Sequence, residues 1–105
     1  MKIGIIGCGR WGSFHAWYSS RIGHEVMLYG RTGSKNMQRL ESTGGNEYLK
    51  LPVNVRLTKN LSDVLNFAEV IVISVGSQNL RDLVKEINFK TNNNLSDKVF
   101  VLCMK

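Results

Sequence analysis

The chain has 105 residues, 43% of them hydrophobic, with ten glycines, one proline and a net charge of +6 from 14 Lys and Arg against 8 Asp and Glu. That suits one compact domain and is too short for two; no run approaches the roughly 18 apolar residues of a membrane span or carries the apolar core of a signal peptide, so a cytoplasmic domain is expected. The basic residues are scattered and lack interleaved aromatics, which speaks against nucleic acid and leaves affinity for small anionic ligands or a plain solvated basic face.

Hydrophobic period organises the chain. KIGIIG, residues 2–7, is a short apolar run closed by glycine and reads as a buried strand. From Arg10 to Ile22 the period changes: Trp11, Phe14, Tyr18 and Ile22 step by three and four, the pattern of one helix face, and Gly23 stops the helix. HEVMLYG (24–30) is a second strand ended by Gly30. A short helix follows, with Ser34 as N-cap, Met37 and Leu40 as apolar anchors and the pair Gly44 and Gly45 as its stop.

VNVRLT (53–58) alternates after Pro52, as a less buried strand near a sheet edge would. Leu61, Val64, Leu65 and Ala68 give a short helix face, with Asp63 near the end where the dipole favours an acid. VIVISVG (70–76) is β-branched almost throughout and reads as a central strand buried on both faces. Leu80, Leu83, Val84 and Ile87 then define a helix, TNNNLSD (91–97) a polar loop and KVFVLCMK (98–105) a fifth strand. Strands alternating with helices predict an α/β domain of Rossmann type: a doubly wound parallel sheet of five strands between two helical layers.

GCGRWG, residues 7–12, lies between the first strand and the first helix. In that setting Gly7 makes the turn, Gly9 leaves room for a pyrophosphate, and Gly12 allows the helix to pack closely on the sheet. The helix start offers unpaired N–H groups and a partial positive charge to an anion. The acid that would hold the adenosine ribose at the end of the second strand is absent; the chain reads LYGRTGSK, with Arg31 at that place and Lys35 nearby. Arginine pairs with a 2′-phosphate or stacks on adenine, which favours NADP, or acceptance of both cofactors, over strict NAD.

Further residues expected at the ligand end of the sheet are Ser74, Gly76 and Gln78 after the fourth strand, Thr58 after the third, and Met104 with Lys105 after the fifth. Ser77 is placed to cap the helix that follows. Lys105 would either face an anion-binding crevice and hold a phosphorylated substrate, or be a charged residue at a frayed terminus; position alone does not separate the two. Cys8 and Cys103 form no CxxC pair and have no histidine at metal spacing, so both are expected to stay thiols with no metal site. His15 within a helix and His24 at the start of a strand read as structural or exposed, leaving no catalytic residue in the chain.

The segments MKIGIIGCGRWGSFHAWYSSRIGHEVMLYGR, VGSQNLRDLV and VFVLCMK together resemble the N-terminal domain of NAD(P)-dependent glycerol-3-phosphate dehydrogenases, over essentially all 105 residues. The specific parts are GxGxWG followed by GHEV and GR, the SQ loop and the lysine closing the fifth strand. The resemblance implies an enzyme interconverting dihydroxyacetone phosphate and sn-glycerol 3-phosphate, supplying the glycerol backbone of phospholipids. By position it places Gly7, Gly9, Arg10, Trp11 and Gly12 on the pyrophosphate side of the cofactor, Arg31 on the adenosine side, and Lys105 against both cofactor and substrate. Trp11 also fits the core face of the first helix.

Two departures stand out. Gly76 occupies a position where the family commonly has proline, and the family's second, helical domain, which carries the proton-transferring lysine, does not follow within these 105 residues. The resemblance therefore implies that this piece alone is inactive and exposes an apolar face where its partner domain docked, with a homodimer as one outcome. The alternatives are the cofactor domain of a ketopantoate reductase or another β-hydroxyacid dehydrogenase, which use the same glycine loop, and a stand-alone nucleotide-sensing or interaction module.

Overall fold

The structure, a computed structural model, describes residues 1–45, 49–75, 77–91 and 98–102, with side chains described for all of these except 77–79 and 88–91. Five strands, β1 (Lys2–Ile6), β2 (Glu25–Tyr29), β3 (Arg56–Thr58), β4 (Val70–Ile73) and β5 (Val99–Leu102), alternate with α1 (Arg10–Arg21), α2 (Lys35–Thr43), α3 (Leu61–Phe67) and α4 (Ser77–Thr91). Every strand pair is parallel and the order is β3-β2-β1-β4-β5. The chain steps outward from β1 through β2 to β3, then crosses back to β4 and β5, so strand order reverses between β1 and β4. No helix among the described residues is long and apolar enough to cross a membrane.

Alternation along the strands builds two cores. Ile3, Ile5, Val26 and Leu28 point to one face and pack with Ala16 of α1 and Met37 and Leu40 of α2. Ile6, Tyr29, Ile71 and Ile73 point to the other and meet Leu61, Val64 and Leu65 of α3 and Ile87 of α4. Side chains of period two thus feed both helical layers, which is why the inner strands are apolar on both faces. The expected three-layer, doubly wound sheet is present, and β3 is an edge strand, as its alternating sequence indicated.

Local signals set the short helices. Ser34 caps α2, its hydroxyl accepting from the Met37 N–H at 3.2 Å, and Gly44 ends it in the left-handed conformation at φ 75°, its N–H donating to the Leu40 carbonyl. Asn60 caps α3 by accepting from the Ser62 N–H at 3.0 Å. The Thr58 hydroxyl accepts from the Asn60 N–H and donates to Asp63, holding the β3–α3 turn.

The first helix is turned the other way from its hydrophobic pattern. The residues facing the sheet are Gly12, Ser13, Ala16 and Ser20. Trp11, Phe14, Tyr18 and Ile22 remain 43, 40, 50 and 55% exposed. Their rings stack along the outside of α1, Phe14 edge-on to Trp11 at 6.3 Å and parallel to Tyr18 at 6.2 Å. Trp11 is therefore not part of the core face. On α4 the same inversion is local: Ile87 is buried while Val84 is exposed. Ser77 is the first residue of α4 rather than its cap. Residues 92–97 of the expected loop, and Cys103, Met104 and Lys105 of the expected fifth strand, lie outside the described residues.

Candidate functional site

At the carboxyl ends of β1, β2 and β4 the sheet opens into a cleft of about 380 Å³, within the range of small-molecule sites. It sits at the reversal of strand order, where such sheets bind ligands. Its rim is tied together by backbone: the Gly7 N–H donates to the Tyr29 carbonyl at 3.0 Å, the Ser74 N–H to Ile6 at 2.8 Å, and the Gly30 N–H to Thr58 at 3.1 Å. Buried Ser13 donates to the Cys8 carbonyl at 3.1 Å and fixes the loop between β1 and α1.

The three glycines of that loop divide into two kinds. Gly7 has φ +114°, and a Cβ there would run into the Ser74 carbonyl. A Cβ on Gly12 would overlap the Gly7 carbonyl. Both are required by the protein's own packing. Gly9 is different: its backbone is extended at φ −76°, open to any residue, and an added Cβ would meet only the Asn36 side-chain amide at 3.9 Å. Gly9 lines the cleft. Among the described residues, no steric contact requires glycine at that position.

Gly9 also caps α1 without a side-chain hydrogen bond, and no acid occupies the first turn of the helix. The positive end of the helix thus has no acid in its own first turn to offset it. Arg31 and Gly30 form the wall at the end of β2, and Ser34 and Asn36 at the start of α2 continue it. Gly30 is itself dictated by packing, since a Cβ there would come within 2.6 Å of the Cys8 sulfur and 2.7 Å of Met37 Cε.

Among the expected site residues, Gly7, Gly9 and Arg31 come together in the cleft wall, and Gly12 acts through Gly7. Ser74 abuts Gly7, while its neighbour Val75 faces the cleft. Arg10 and Trp11 lie outside the wall, on the exposed start of α1, with the Arg10 guanidinium 5.6 Å from the Trp11 ring centre. Gly76 and Lys105 lie outside the described residues. Gln78 falls in α4, with its side chain outside them.

The cleft also contains residues that the sequence did not mark as site residues: Cys8, Tyr29, Ser34 and Asn36, and from α4 Asp82, Leu83 and Glu86. The available signal was the i, i+4 spacing of the two acids beside an apolar stripe, which is equally the mark of a solvated helix face. Tyr29 is almost fully buried. Burial pushes its phenol above the ordinary value; the Glu86 carboxylate adds to the rise, the Arg31 guanidinium opposes it, and Cys8 adds slightly. The phenol stays neutral through neutral pH and serves as a hydroxyl in the wall.

The chain matches the family described as NAD-dependent glycerol-3-phosphate dehydrogenase N-terminus over residues 2–105. A glycerol-3-phosphate dehydrogenase [NAD(P)+] of Desulfitobacterium hafniense is 39% identical over 90 residues, covering 82% of this chain and 25% of that protein. The enzyme of the same name from a Thermoanaerobacter species is 26% identical over 104 residues, covering 97% of this chain and 30% of that protein. The present chain thus spans about 30% or less of the length of these relatives.

In solved structures, the fold superposes on glycerol-3-phosphate dehydrogenase from Coxiella burnetii with a TM-score of 0.85 at 20% identity, covering 99% of this chain and 32% of that one. A ketopantoate reductase from Ralstonia eutropha gives 0.68 at 20% identity over 99% of this chain and 40% of its own. These likenesses show the fold, and the family match separates the readings that the fold leaves together. The chain belongs to the NAD-dependent glycerol-3-phosphate dehydrogenase family, as its N-terminal nucleotide-binding portion.

Proposed function

We propose that the cleft holds the pyrophosphate and adenosine of NAD or NADP, and that the whole reaction served is the interconversion of dihydroxyacetone phosphate and sn-glycerol 3-phosphate. The observation that carries this is Gly9, a glycine on the cleft wall that no contact within the chain requires. The bound nicotinamide would supply or accept the hydride. The chain's own part is to hold the nucleotide: the open N-terminus of α1 faces the pyrophosphate, and Arg31 stands at the adenosine end. Ser74, Gly76 and Gln78, which follow β4 in the sequence, would lie beside the nicotinamide ribose. By family resemblance Lys105 touches cofactor and substrate.

The same reading makes the full reaction cytoplasmic and a source of glycerol backbone for phospholipids, with a further helical domain completing the substrate site. The test is calorimetric titration of the 105-residue chain with NADH and with NADPH, beside a Gly9→Asp variant. Calorimetry suits the site because Trp11 lies outside the cleft wall. The expected outcome is saturable binding of both nucleotides to the wild type and of neither to the variant, with both proteins melting alike. A wild-type chain that binds neither nucleotide overturns the reading.

A further inference from the structure

Arg31 closes one side of the cleft, and α4 brings Asp82 and Glu86 to the wall on another. The two acids are four residues apart, one helical turn, and both are exposed. None of Arg31, Asp82 and Glu86 is in an ion pair among the described residues. The cation and the carboxylates therefore share one cleft without closing it with a salt bridge. Lys35, the next cation along the chain, lies outside the wall.

Both signs of charge act within the cleft. Apart from burial, the Tyr29 phenol is pushed up by the Glu86 carboxylate and pulled down by the Arg31 guanidinium. A 2′-phosphate brings about two negative charges to the adenosine end of a dinucleotide. A cleft built to select that group gains from cations alone. Among the described residues of its wall, this one opposes a single arginine with two carboxylates, while the end of β2 offers Gly30 and Arg31 and no acid.

We propose that Asp82 and Glu86 are specificity-determining residues of the cleft: from α4 they supply the negative charge that the end of β2 lacks, they oppose a 2′-phosphate, and they hold back the preference for NADP that Arg31 alone would set. The inference rests on the cleft being the nucleotide site. Its chemistry is long-range and electrostatic, so the carboxylates need not touch the phosphate to act.

The test compares dissociation constants for NADPH and NADH, measured by calorimetry at low salt, for the wild-type chain, Glu86→Gln, Asp82→Asn, the double variant and Glu86→Asp. Each neutralisation is expected to raise the NADPH to NADH affinity ratio about threefold and the double variant about tenfold, with NADH affinity changed less than about twofold. Glu86→Asp keeps the charge and keeps the ratio within about twofold of wild type. Both side chains are exposed, and matching melting curves confirm that the variants fold. An unchanged ratio in the double variant overturns the inference while leaving the nucleotide reading intact. Binding of neither nucleotide by the wild type overturns both.

Discussion

At the scale of single residues, the glycines divide into those that packing requires and one, Gly9, that it does not. Gly12→Ala must drive a Cβ into the Gly7 carbonyl, a collision with backbone that no rotamer relieves. A cost of about 1–3 kcal/mol is expected, as for other overpacked sites. Gly30→Ala meets the Cys8 sulfur and both the end and the Cβ of buried Met37; the end can turn aside but the Cβ is fixed to α2, so a cost in the same range is expected. Gly9→Ala places its Cβ in open space at a backbone angle that alanine adopts freely. Its stability should stay within about 0.5 kcal/mol of wild type, while nucleotide affinity drops about tenfold or more because the methyl occupies ligand space. Urea denaturation and calorimetry on the same three variants check this, and Gly9→Ala losing as much stability as Gly12→Ala would remove the distinction.

At the scale of elements, the fold was mostly legible, and the failure in α1 has a definite cause. That helix carries two stripes of helical period, the apolar Trp11, Phe14, Tyr18 and Ile22 and the small Gly12, Ala16 and Ser20. Hydropathy selects the first; close approach to the sheet selects the second, because α1 leaves the glycine loop with Gly12 already pressed against Gly7. Gly12 fixes the phase, and counting by four from it leads to Ala16 and Ser20, both buried. Each predicted strand has its counterpart because apolar runs bounded by glycine or polar residues have no such competitor, but β3 keeps only Arg56–Thr58 of the expected 53–58, and 103–105 of the expected fifth strand lie outside the described residues. The cleft was legible where backbone geometry demands glycine, and illegible at Asp82 and Glu86, where the same spacing describes any solvated helix. Ala16→Leu should therefore cost about 1–3 kcal/mol, whereas Ile22→Ser, on the exposed stripe, should change stability by about 0.5 kcal/mol or less. Denaturant midpoints with unchanged slopes would establish the ranking, and its reversal would place the aromatic stripe in the core after all.

At the scale of the whole molecule, charge and exposed apolar surface act against each other. β5 is the outermost strand of the sheet, and Val99, Phe100, Val101 and Leu102 are all exposed with no charged residue among them. An uncharged, apolar edge strand has unpaired backbone groups along one side and is a template for another strand. The net charge of +6 holds copies of the chain apart, since two like-charged molecules repel over roughly a Debye length of about 10 Å at 0.1 M salt and further in dilute buffer. Salt removes the repulsion and leaves the apolar edge untouched. The 105-residue chain is therefore expected to be monomeric at low ionic strength and to associate as salt is raised, which sedimentation equilibrium measures directly. Val101→Lys puts a charge in the middle of β5 and should keep the chain monomeric throughout, with little change in melting temperature because the side chain is exposed. If Val101→Lys associates like wild type while Tyr18→Ser does not, the contact is the aromatic face of α1. A wild type that stays monomeric at every ionic strength shows that neither surface is adhesive on its own.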